Sequence, residues 1–170
     1  MGQLAVPAPT AAEPPDPLAS NLCWLLSQAS YTLTTELTAA LEGEGISPRQ
    51  HAVLATAMTG ELTQTEIARK VGLDKTTLVV TLDELERAGL AERRPSSTDR
   101  RARIIAVTEA GAAKVREAEE IIHRTHESVL SVLPEDQRAA FLDALAQLVA
   151  GRLAEPVSCM QTVRRRAPKP

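Results

Sequence analysis

Apolar residues recur at steps of three and four over much of the chain. Leu22, Leu25, Leu26, Ala29, Leu33, Leu37 and Leu41 form the first such stripe. This is the pattern of an amphipathic helix, which Gly43 and Gly45 close. Ser47-Pro48-Arg49-Gln50 has the form of a helix start, with Ser47 as cap, Pro48 in the first turn and Gln50 reaching back. That helix is expected to run to about Met58 and stop near Gly60. Thr63-Gln64-Thr65-Glu66 is a second capping box, opening a short helix that Gly72 ends. Asp74 is a further cap, whose carboxylate can accept from the amide of Thr76 or Thr77. Leu78, Leu82 and Leu85 then bury one face up to Gly89. Two short helices joined by a tight glycine turn make a helix-turn-helix. Ala68 supplies the small residue at the crossing, Gly72 the turn and Leu78 the apolar lock.

The period changes after Gly89. Leu90 to Arg94 and Arg103 to Val107 predict two strands around the turn-rich tip Pro-Ser-Ser-Thr-Asp. A hairpin after a helix-turn-helix is a winged helix. Thr108 caps a long helix with Val115, Ala118, Ile122, Val129 and Leu133 on one stripe. Pro134 opens a last helix bearing Phe141, Leu142, Leu145, Leu148, Val149 and Leu153. The fold class is therefore mainly α with a small β-hairpin wing. Residues 1–16 are expected to be a disordered arm, 17–46 an N-terminal helix, 47–108 the winged helix-turn-helix, 109–155 two C-terminal helices and 156–170 a flexible basic tail. One small winged helix has little core to offer the outer helices. A second copy of the chain is the simplest cover for their stripes, giving a homodimer.

Composition narrows this picture. The 170 residues are 44% hydrophobic and 24% charged, ordinary for a globular protein. Trp24, Tyr31 and Phe141 are the only aromatic residues, so the core must be aliphatic. No apolar run approaches the roughly 18–20 residues of a membrane span. No secretory signal is evident, and Cys23 and Cys159 lie far apart without metal-type spacing, so a reducing cytoplasmic setting is expected. The net charge of −3 is unevenly spread. From Arg87 to Arg103, six arginines face only Glu92 and Asp99, and the tail adds Arg164, Arg165, Arg166 and Lys169 with no acid. A local basic field of this kind can bind a polyanion although the whole chain is acidic.

Three features together resemble the MarR family, regulators named for multiple antibiotic resistance: "LTQTEIARKVGLDKTTLVVTLDELERAGLAERR", the wing "STDRRARIIAVTEAG", and the order of helices around them. The resemblance covers roughly residues 18–153. It implies a dimer that binds pseudo-palindromic double-stranded DNA and represses nearby genes until a small-molecule effector or an oxidant releases it.

Helix geometry selects the DNA-facing side chains. Steps of 100° from Leu78, Leu82 and Leu85 put Thr76, Val80, Asp83 and Arg87 on the opposite face, with Val79 at its edge. The N-terminal part of a recognition helix enters the major groove, which makes Lys75, Thr76, Thr77, Val79 and Val80 the candidates in helix 74–88. Val79 and Val80 depart from the family pattern, where a polar residue or arginine is common. Valines cannot donate hydrogen bonds but can pack on thymine methyls. Thr81 is expected to be half-buried. On the wing, the resemblance implies an Asp-x-Arg unit, here Asp99 and Arg101, that sets an arginine in the minor groove, where the potential is enhanced. Arg100 is positioned to join it. Arg93, Arg94 and Arg103 are expected to meet phosphates or brace the hairpin.

Regulatory chemistry is less marked. "NLCWLLSQAS" resembles the first helix of the organic-hydroperoxide-sensing branch, where a cysteine is oxidised, and Cys23 holds that place. That branch uses tyrosines where this chain has Ser27, Leu37 and Pro48, which favours a buried structural Cys23 over a sensor. Trp24, Ser27, Tyr31, Arg49 and His51 could line an effector pocket. His123 and His126, three apart on the long helix, lack a converging cysteine or acid, so no metal site is assigned. A protein-binding winged helix would lack the basic wing. An enzyme would need a phosphate loop, HExxH or nucleophile motif, and none occurs; no cofactor is implied.

Overall fold

The computed structural model describes residues 16–97, 102–155 and 157. The arm at 1–15, most of the tail and the wing-tip residues Asp99, Arg100 and Arg101 lie outside the described residues. Two compact units divide the chain, one up to Thr35 and one from Glu36 onward.

The first unit holds a 3-10 turn at Asp16–Leu18 and the start of α1 (Leu22–Ala40). The expected start near Pro17 is therefore four to five residues early. Asn21 caps the helix instead, its Oδ1 accepting from the Trp24 amide at 2.9 Å. No residue of α1 is buried.

The second unit continues with α2 (Pro48–Ala57), α3 (Gln64–Val71), α4 (Lys75–Arg87), strands β1 (Ala91–Pro95) and β2 (Arg103–Val107), α5 (Glu109–Leu130) and α6 (Glu135–Ala150). Each cap follows from its local sequence. Ser47 Oγ accepts from the Gln50 amide while Gln50 Oε1 accepts from the Ser47 amide. Thr63 and Glu66 form the same reciprocal pair. Such pairs satisfy helix amides that have no partner within the helix. Gly72 turns the chain between α3 and α4 with φ +67°, a left-handed conformation that disfavours any side chain.

The core is aliphatic. Val53 and Leu54 of α2, Ile67 of α3, Leu78, Leu82 and Leu85 of α4, Ile105 of β2, and Val115 and Ala118 of α5 form one buried cluster. The wing is antiparallel, with Ala91 opposite Val107 and Arg93 opposite Ile105. Its first strand begins at Ala91 rather than Leu90, because the Leu90 amide closes the end of α4 on the Leu85 carbonyl (2.9 Å). The far edge of β2 is also used: the Ile105 amide donates to the Leu62 carbonyl at 3.0 Å, and Thr63 bridges Ile104. The loop before α3 thus pairs along the outer edge of the hairpin.

Of the expected α5 stripe, only Val115 and Ala118 are buried; Ile122 is half-buried and Val129 exposed. Leu133 lies past the helix end. No residue of α6 is buried, and Phe141 is 48% exposed. No described helix is long and apolar enough to cross a membrane.

Candidate nucleic-acid interface

The outward face of α4 is built by its cap. Asp74 accepts from the Thr77 amide at 2.9 Å and from the Thr77 hydroxyl at 2.6 Å. Those bonds hold the Asp74 carboxyl below its usual range, the Thr77 side chain being the larger cause. Lys75, Thr76 and Val80 stand out from the helix, and Val80 is 51% exposed. Val79 is half-buried. Thr77 is half-buried too, with its hydroxyl committed to Asp74, which limits what it can offer a base. Thr81 corrects the expectation of half-burial. It is 1% exposed, and its hydroxyl is satisfied by donating to the Thr77 carbonyl at 2.8 Å.

Arg93 locks the wing to α4. Its guanidinium pairs with Glu86 and, at 2.7 Å, with Asp83, and its amide donates to Glu86 Oε1 at 2.9 Å. Planar guanidinium with two carboxylates is a directional, charge-assisted clamp. It engages two of the three acids within α4 and offsets half of their charge. The third, Glu84, accepts from Gln50 Nε2 at 3.1 Å, tying α2 to α4. Arg94 is exposed and pairs with Glu92 on its own strand. Arg103 is exposed on β2.

A second anchor holds the wing where its strands give way to the tip. Glu61, in the loop before α3, accepts from Ser96 Oγ at 2.8 Å and from the Ser97 amide at 3.0 Å. Hydrogen bonds from Ser97 and Ser96 hold the Glu61 carboxyl below its usual range. Sequence reasoning missed this latch: Glu61 and Ser96 are 35 positions apart, and neither belongs to a motif.

At the other end of the hairpin, Thr108 joins three elements. Its hydroxyl donates to the Gly89 carbonyl at 2.8 Å and accepts from the Gly111 amide at 3.0 Å, while its amide donates to the Leu90 carbonyl at 3.1 Å. Gly111 lies so close to that carbonyl that a Cβ there would overlap the Leu90 oxygen and sit 2.9 Å from Val107 Cγ1.

Of the expected effector residues, Trp24, Ser27 and Tyr31 lie in the first unit, and Arg49 and His51 in the second. Trp24 is half-buried, Ser27 and Arg49 are exposed, and Tyr31 is 60% exposed. His51 is half-buried, with its Nε2 enclosed and without a hydrogen-bond partner among the described residues. Burial pushes its pKa down, partly opposed by Glu119. Cys23 is exposed, not buried as expected. His123 and His126 are exposed as well. Among the described residues, no three His, Cys, Asp or Glu side chains group around a metal-sized site.

A helix-turn-helix with an exposed N-terminal face on its second helix, clamped to a two-stranded wing, defines a winged-helix DNA-binding protein. The family model described as "MarR family" matches residues 44–102. The transcriptional repressor CouR, solved on a 23-mer DNA duplex, is 30% identical, with a TM-score of 0.70 over 78% of this chain and 94% of that one. CouR from Rhodococcus jostii RHA1 bound to p-coumaroyl-CoA gives 28% identity, a TM-score of 0.70 and the same coverage. Apo MarR from E. coli shares the fold at 23% identity and a TM-score of 0.66, over 75% of this chain and 96% of that one. The chain belongs to the MarR family of transcriptional regulators.

Proposed function

We propose that the protein is a homodimeric transcriptional repressor that binds a pseudo-palindromic operator. Helix 74–88 enters the major groove, and the wing lies along the adjacent minor groove. The observation that carries this reading is the clamp of Arg93 on Asp83 and Glu86. It joins hairpin and recognition helix into one reading head and offsets one of the two negative charges that Asp83 and Glu86 would set beside phosphate. Arg94 and Arg103 on the strands contact phosphates, and Asp99 and Arg101 at the tip set a guanidinium in the minor groove.

The dimer rests on the apolar side chains that the outer helices leave exposed. Leu22 and Leu25 on α1, and Phe141, Leu142, Leu148 and Val149 on α6, are all exposed. A second copy would cover them and hold two reading heads about one helical turn apart, roughly 34 Å.

Release is proposed to follow binding of a small molecule. CouR is described with p-coumaroyl-CoA, which puts acyl-CoA thioesters first among the ligand classes to try. A second reading, oxidation of Cys23, gains from its exposure; a Cys23→Ser variant that still responds to peroxide eliminates it.

The direct test is binding of the full chain to fluorescent duplexes from its own promoter region across a salt series. The logarithm of affinity should fall linearly with the logarithm of salt concentration, by about 0.9 per phosphate neutralised. Arg101→Ala should cost about 1–3 kcal/mol of binding at matched salt. Binding that ignores salt, or a strictly monomeric protein at micromolar concentration, overturns the proposal.

A further inference from the structure

The recognition helix is short of hydrogen-bonding groups that can reach a base. Of its polar side chains, Thr77 is spent on Asp74, and Thr81 is buried on the Thr77 carbonyl. Asp83 and Glu86 are held by Arg93, and Glu84 receives Gln50. Among the described residues, Lys75, Thr76 and Arg87 are what α4 has left to donate with. Lys75 opens the helix and Arg87 ends it. Between them, the exposed stripe one turn in is Thr76 followed four residues later by Val80. A valine at 51% exposure in the middle of that face forms no part of the core. An isolated exposed valine needs no explanation on an ordinary surface. On the face that enters a groove, however, it determines what can be read there.

We propose that Val80 is a specificity-determining residue that reads the C5-methyl group of a thymine in each operator half-site, with the Thr76 methyl packed beside it. The inference rests on the DNA-binding reading above and adds the chemistry of recognition. The major groove presents one apolar group, the thymine methyl, which only an apolar side chain can favour. A hydrogen-bonding side chain at this position would read a base edge instead.

Deoxyuridine provides the test, because it pairs as thymine does and lacks only the methyl. Duplexes are first selected from a random pool with the full chain. Each thymine of the selected site is then replaced singly by deoxyuridine. One position per half-site should weaken binding about fourfold, the equivalent of one buried methyl group, and about fifteenfold when both half-sites are changed. Val80→Ala should bind the thymine operator more weakly and lose the thymine–uracil difference at that position alone. Val80→Thr, nearly the same shape, should keep one methyl and retain part of the difference. The salt slope should not change in either variant. If no thymine methyl matters, or if Val80→Ala discriminates as wild type does, the methyl reading is wrong while DNA binding stands. If neither the thymine nor the uracil duplex is bound better than a scrambled one, the DNA-binding reading itself has failed.

Discussion

Gly111→Ala sets two physical effects against each other at one atom. Gly111 is the third residue of α5. Helix propensity alone favours alanine by up to about 1 kcal/mol. Packing opposes it, because the added Cβ would overlap the Leu90 carbonyl oxygen and lie 3.0 Å from the carbon that bears it. That carbonyl is backbone, so it cannot swing away as a flexible side chain would. Overpacking of this kind costs about 1–3 kcal/mol. Relief by displacing Leu90 would also lengthen the bond from the Thr108 amide, now 3.1 Å, a loss of about 1 kcal/mol. The balance is a net destabilisation of about 2 kcal/mol. Urea unfolding followed by far-UV circular dichroism, at one fixed protein concentration, measures it. Ala110→Gly, one position earlier and exposed, is the control and should cost no more than about 1 kcal/mol. A Gly111→Ala protein as stable as wild type, or more so, would refute the claim that helix and wing meet without slack here.

The other predictions concern charge. Arg93→Ala should lower stability by about 1 kcal/mol, since the pairs are partly exposed, and weaken operator binding several-fold by uncovering Asp83 and Glu86. Adding Asp83→Asn and Glu86→Gln should recover much of the affinity but not the stability; no loss of affinity in the single variant would show that the clamp is irrelevant to DNA. Glu61, Glu66 and Asp74 are held below their usual pKa by hydrogen bonds. Their contribution is therefore complete above the unfolded carboxylate range, about pH 4, and is lost as pH falls through their lowered folded values. Glu66→Gln should flatten the acid limb of a stability–pH curve. His51 behaves differently: its pKa is lowered by burial, so protonation favours the unfolded chain once pH drops below about 6.5. His51→Gln should remove that earlier decline, and an unchanged curve between pH 7 and 5 would contradict the burial argument.

What could be read from the sequence was local. Ser47, Thr63, Asp74 and Thr108 each cap the helix expected of them, because a cap is a bond between residues three apart. The buried face of α4 follows from the same short periodicity. The clamp of Arg93 was legible only as one of two roles, since choosing between phosphate and carboxylate needs the hairpin's placement over α4. The Glu61–Ser96 latch and the Leu62–Thr63 edge on β2 were invisible: a two-residue pairing has no alternation to detect. Gly111 sat in plain view within a recognised stretch, yet nothing in a sequence separates a glycine needed for closeness from one merely tolerated. Thr81 was misjudged because a hydroxyl that bonds back to its own helix can be buried as readily as a methyl.

Trp24 and Tyr31, the chain's single tryptophan and single tyrosine, both lie on α1, and the segment from 47 to 108 contains no aromatic residue. Intrinsic emission therefore reports on the first helix and on whatever surface comes to shield it, while the DNA-reading segment stays optically dark. Melting curves recorded by fluorescence and by dichroism therefore follow different parts of the chain, and a gap between their midpoints ranks the stability of the first helix against that of the rest.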